Sequence, residues 1–179
     1  MAKTSTIPWA EGKEEREPMA IIDRLKRVLD AERVPYLVWP HREVFTAPEV
    51  AATSEFPARE VAKVLVVRDG DGASLMVVLP ALCRLSLVAL ERASGRRDLA
   101  LATESQFKGL FSDCEVGAMP PFGNLYGLPV YVDTCFARDR ALVFPAGNHR
   151  EVVEMPFQEF ERLVKPEKGA LCSTVALAA

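Results

Sequence analysis

Apolar residues recur at helical spacing in Ile21, Ile22, Leu25, Val28 and Leu29, which predicts an amphipathic helix opening at Pro18. That helix ends before Val34-Pro35, because the residue ahead of a proline avoids the α region. Tyr36-Leu37-Val38-Trp39 reads as a short strand halted by Pro40. Thr46 and Glu49 form a T-x-x-E capping box, with Pro48 early in the helix that follows. Pro57 predicts another short helix over 58–62, ending against Lys63. Two apolar runs, 64–67 and 75–79, flank Asp69-Gly70-Asp71-Gly72 and give the clearest hairpin of the chain. Both arms are apolar on consecutive positions, so both faces of their sheet are covered.

Further on, 84–93 reads as a helix closed by Gly95. Thr103 and Gln106 repeat the capping pattern. Strands follow at 129–133, 141–144 and 152–155, and Pro156 begins a last helix with Phe157, Phe160 and Leu163 at core spacing. Helices and strands intersperse without strict alternation, which points to a mixed α/β domain with at least one antiparallel pair. The expected organisation is a flexible arm over 1–17, one domain over 18–166 and a tail over 167–179.

Composition narrows this picture. The chain has 179 residues, 49% of them hydrophobic and 26% charged, which suits one globular domain. A net charge of −3 leaves no broad basic footprint, so bare duplex DNA is not an expected partner. No apolar run approaches the roughly 20 residues that span a bilayer, and the N-terminal stretch has no signal-peptide core, so the expected place is the cytoplasm. Cys83, Cys114, Cys135 and Cys172 form no close pair. Buried free thiols are the first reading, a catalytic cysteine activated by His149 the second, and no metal is expected.

The candidate chemistry centres on 114–133, where three glycines and three prolines separate two strands. Proline fixes φ and glycine permits close approach to bare backbone, so the loop is stiff. It is either an ordered connection or a ligand loop. Lys63 either snorkels to solvent or points into a cleft. His149 follows a Gly-Asn turn, and His41 packs or caps near the second helix. Phosphate-loop, dinucleotide, zincin and hydrolase-elbow motifs are absent from the sequence.

In chain order, several segments resemble the YbaK/prolyl-tRNA synthetase-associated editing-domain family. They are Val34-Pro35-Tyr36, His41, Phe45-Thr46-Ala47-x-Glu49, Ala62-Lys63-Val64-Leu65-Val66-Val67, Met76-Val77-Val78-Leu79-Pro80-Ala81, the loop from Cys114 to Gly123, and Phe144-Pro145-Ala146-Gly147-Asn148-His149. The match runs over roughly 20–166. It implies a compact domain with a mixed, barrel-like sheet flanked by helices, and a free-standing deacylase acting on mischarged tRNA. The resemblance also implies hydrolysis of a small aminoacyl ester by water, assisted by the substrate's own ribose hydroxyl, without cofactor or metal. Lys63 and Gly117 then carry the chemistry, and Thr46, Ala118, Met119, Pro120, Pro121, Gly123, Ala146, Gly147, Asn148 and His149 hold the substrate. Weak association with an aminoacyl-tRNA synthetase and no membrane contact are expected. A non-catalytic module that binds an aminoacyl or nucleotide end is the alternative.

Overall fold

The computed structural model of the chain describes residues 21–138 and 141–173. The first helix, α1, is Asp23–Ala31. The expected start at Pro18 and the arm over 1–17 lie outside the described residues. Ile21 and Ile22 precede α1, and Ile22 N–H donates to the Ala146 carbonyl. Next come β1 (Leu37–Pro40) and α2 (Ala47–Thr53), the latter capped by the Thr46–Glu49 box as its sequence requires.

The hairpin is β2 (Ala62–Arg68) with β3 (Ser74–Pro80), antiparallel with Lys63 opposite Leu79. No helix forms after Pro57. Glu60 and Val61 N–H both turn back to the Pro57 carbonyl, and β2 then starts at Ala62. Lys63 is therefore the second residue of a strand, not the last of a helix. Helix α3 (Leu87–Ser94) is capped by Ser86 and closed by Gly95 at φ +68°. Then follow β4 (Ala100–Leu101), α4 (Glu104–Phe107), β5 (Val130–Asp133), β6 (Ala141–Pro145), β7 (Glu151–Pro156), α5 (Phe157–Val164) and β8 (Glu167–Gly169). The segment read as a tail thus supplies a strand up to Gly169, and Leu171 beyond it is fully buried.

The class is mixed α/β, but the barrel-like sheet is two sheets that do not close. One has the order β1-β7-β6, the other β4-β2-β3-β5-β8, and β5 runs parallel to both neighbours. An isolated bridge, Val61 to Val143, links β2's approach to β6. Both faces of the hairpin are covered. Met76 and Val78 face a core with Leu25, Leu29, Phe122, Phe144 and Phe160, whereas Leu75, Val77 and Leu79 face Leu90 and Leu171. Consecutive burial along β3 is the physical cause of its unbroken apolar run.

Candidate active site

The gap between the sheets is the site. On its outer side β2 bridges to β6 at Val61 and meets β4 only from Val66 onward, where Ala102 N–H donates to the Val66 carbonyl. Between those points Ala62, Lys63, Val64 and Leu65 line a cavity of about 240 Å³. Its other walls are the 41–48 segment with Val50, Gly117, Pro145, Asn148 and His149.

Each wall is fixed by hydrogen bonds. Glu49 accepts from the Phe45 and Thr46 N–H groups, each at 3.0 Å, and from the Thr46 hydroxyl at 2.9 Å. The Thr46 hydroxyl, with Phe45 N–H behind it, holds the Glu49 carboxyl below its ordinary pKa. Thr46 therefore shapes the wall as a cap. His41 N–H donates to Arg150 O at 2.8 Å and Val44 N–H to His149 O at 3.3 Å, so the rim runs beside the turn that carries His149.

That turn is held by Glu115, whose N–H donates to Gly147 O at 2.8 Å and whose carboxylate accepts His149 N–H at 2.9 Å. Asn148 bonds Glu151 and accepts Arg150 N–H, both at 2.9 Å. His149 Nε2 lies 2.9 Å from the Val116 carbonyl. A carbonyl only accepts, so Nε2 carries the hydrogen and Nδ1 is the free ring acceptor in the neutral form. The Phe45 ring, 62% exposed, sits 4.7 Å from the imidazole at a tilt of 52°.

Lys63 is half-buried, and its ammonium donates to the Cys83 carbonyl. Burial lowers its pKa, while the Cys83 and Cys172 thiols oppose that shift. An ammonium has three donors, and the bond to Cys83 takes one of them while it positions the group.

Of the residues expected to form the site, the structure brings Thr46, Lys63, Gly117, Asn148 and His149 to the cavity. Ala118, Met119, Pro120, Pro121, Gly123, Ala146 and Gly147 are buried and do not line it. Ala118 N–H is spent on the Glu115 carbonyl. A Cβ on Gly123 would stand 2.7 Å from Val130 Cγ2, so that glycine serves packing. Gly117 has φ +87°, with only His149 Cε1 within reach of a Cβ, at 3.7 Å. Replacing it with valine would therefore strain the backbone as well as obstruct the cavity. Sequence reasoning missed Glu115 and Phe45. Phe45 sits one residue before a cap, a local signal that was there to use, whereas Glu115 owes its role to a turn some thirty residues later.

The thiols depart from the expectation of burial: Cys135 is exposed, and Cys83, Cys114 and Cys172 are half-buried. None lines the cavity. Burial pushes the Cys114 thiol up to about 11, and its sulfur lies 3.3 Å from the Tyr126 hydroxyl. His149 is turned to Val116, and burial outweighs the Tyr126 hydroxyl and the Arg24 charge that favour the Cys114 thiolate.

The sequence profile of the aminoacyl-tRNA editing domain family matches residues 41–163. No curated protein matches the sequence significantly. Among solved structures, the hypothetical protein APE2540 is similar at a TM-score of 0.76 and 19% identity, over 84% of this chain and 100% of that one. A structure described as a "putative trans-editing enzyme for prolyl tRNA synthetase" is similar at 0.73 and 21% identity, over 88% of this chain and 99% of the other. One described as a "Putative signal transduction protein" from Marinobacter aquaeolei gives 0.66 and 19%, over 87% of this chain but 32% of that chain. These structural likenesses concern the fold.

Proposed function

The chain belongs to the aminoacyl-tRNA editing domain family, and on that premise we propose that it hydrolyses, in trans, the ester of a mischarged tRNA bearing a small amino acid. The observation that carries this reading is the meeting of Lys63, Gly117 and the Phe45–His149 pair in one cavity whose lining holds no thiol and no carboxylate. Such a site has a cation to stabilise charge, while its one lining hydroxyl, that of Thr46, is spent on the Glu49 carboxylate.

The chemistry follows from that inventory. A water oxygen adds to the ester carbonyl, the resulting oxyanion faces the Lys63 ammonium, and the C–O bond to the ribose breaks. The departing ribose oxygen takes a proton, and the products are the free amino acid and a tRNA with both terminal hydroxyls. The vicinal ribose hydroxyl orders the water in place of a protein base. The apolar lining from Val44, Val50, Ala62 and Val64 suits a small side chain, and one methylene more is worth only about 10- to 200-fold in discrimination. The exposed Phe45 ring offers a face for the terminal base. The −3 net charge implies local tRNA contacts, with weak association to a synthetase aiding capture.

A panel of labelled mischarged tRNAs tests this directly. Free amino acid should appear from tRNAs carrying small residues, at a rate unchanged by chelator and by Cys114→Ser. Tight binding with no release from any member would replace the deacylase by the binding-module reading. A Phe45→Ala variant should raise KM about 5-fold with kcat unchanged. One stacked base is worth ~1–3 kcal/mol, and an exposed ring falls at the low end. An unchanged KM would remove Phe45 from the substrate.

A further inference from the structure

Away from the cavity lining, the end of β5 gathers a second set of reactive groups. Asp133 is 1% exposed and closes β5. Its carboxylate accepts Cys135 N–H at 2.8 Å on Oδ1, and Leu171 and Cys172 N–H at 2.7 and 2.9 Å on Oδ2. One buried anion thus clamps two segments of chain that lie far apart in sequence. In doing so it brings the side chains at 135 and 172 to itself. One carboxylate oxygen of Asp133 and the sulfurs of Cys135 and Cys172 all lie within 4.8 Å of one another.

We propose that Asp133, Cys135 and Cys172 form a binding site for a divalent cation of the zinc class, which locks the C-terminal segment onto the sheet. Thiolate sulfur and carboxylate oxygen are both among the donors that such an ion takes. In a tetrahedral zinc site the ligand atoms stand ~3.5–3.8 Å apart, so the three donors need close by only about 1 Å. Besides the three N–H groups, the Cys135 and Cys172 thiols hydrogen-bond to the Asp133 carboxylate, so both sulfurs already face it.

Charge supports the assignment. Asp133 and two thiolates would sum to three negative charges, which a divalent ion reduces to one. Thiols bind such an ion as thiolates. Binding therefore displaces one proton from each thiol, and affinity should rise with pH. Cys135 is exposed and gives the ion a way in, with solvent as the fourth ligand. Cys83 hydrogen-bonds to Cys172 but stands outside the three-ligand set.

The test uses the full chain, reduced and stripped of metal, titrated with zinc against a chromophoric chelator and separately with cobalt. One ion per chain should bind, with thiolate-to-cobalt charge-transfer absorption and a raised Tm. Cys172→Ser and Cys135→Ser should each weaken zinc by at least about 100-fold, beyond the usual cost of an outer-shell change, while Cys83→Ser should still bind one ion. Cys135 is exposed, so its serine variant should fold normally and keeps the test decisive if Cys172→Ser does not. The proposal is overturned by absence of the cobalt band, by wild-type affinity in Cys135→Ser, or by a Cys135–Cys172 disulfide forming where zinc should bind.

Discussion

Lys63→Ala is expected to lower kcat/KM on a confirmed substrate by about 10- to 150-fold. A charge-assisted contact to the developing oxyanion in a half-buried site is worth roughly 1.5–3 kcal/mol, and each 1.36 kcal/mol is a factor of ten. The loss should fall on kcat, since the oxyanion exists only in the transition state. Because the ammonium also anchors the Cys83 carbonyl, Tm should drop too, by no more than ~5 °C. Lys63→Arg should rescue poorly, because a planar fork cannot reproduce a compact charge seated between Cys83 and the cavity. A wild-type rate for Lys63→Ala, even with a lower Tm, would leave Lys63 as a structural anchor alone.

Gly147→Ala should be the most destabilising single methyl in the turn that carries His149, lowering Tm by about 5–20 °C. Two costs add. The residue sits at φ +102°, where an L side chain is strained by ~1–3 kcal/mol. A Cβ there would also fall inside the Ile22 Cγ2 methyl, with Cβ of the same residue 3.3 Å away. Overpacking of that kind costs a further ~1–3 kcal/mol, and each kcal/mol shifts Tm by about 2–4 °C at this size. Ile22 has little room to yield, because its N–H is tied to the neighbouring Ala146 carbonyl. Gly117→Ala provides the contrast: it meets only the backbone cost, ~1–2 kcal/mol, and should melt several degrees higher than Gly147→Ala. Equal melting of Gly147→Ala and wild type would show that the turn repacks.

Local signals carried most of the fold. The capping boxes at Thr46 and Thr103 both form, because each depends on residues three apart. The hairpin is where its apolar runs and its Gly-rich turn put it. What the sequence hid is what depends on distant partners. Glu167-Lys168-Gly169 has no strand pattern of its own and becomes β8 because β5 offers it an edge. Ala118 to Pro121 looked like a ligand loop, since rigid glycine–proline stretches serve packing as readily as binding, and here the packing is what exposure reveals. The Asp133 cluster was invisible for a related reason: Cys135 and Cys172 meet only after Asp133 has drawn two segments together.

The cavity exists because β2 stops short of a neighbour over Ala62–Leu65, and an unpaired strand edge is also a place where chains aggregate. This fold guards it. Val50 of α2 packs with Val61 and Ala81 on one side of the gap and with Val143 and Val152 on the other. The helix thereby shields the edge from a second copy while leaving room for a small guest. Changes that loosen α2 or shorten the 41–46 rim should consequently show first as poor solubility and strand-to-strand dimers. A screen that reads only lost turnover would mistake that self-association for damage to the chemistry.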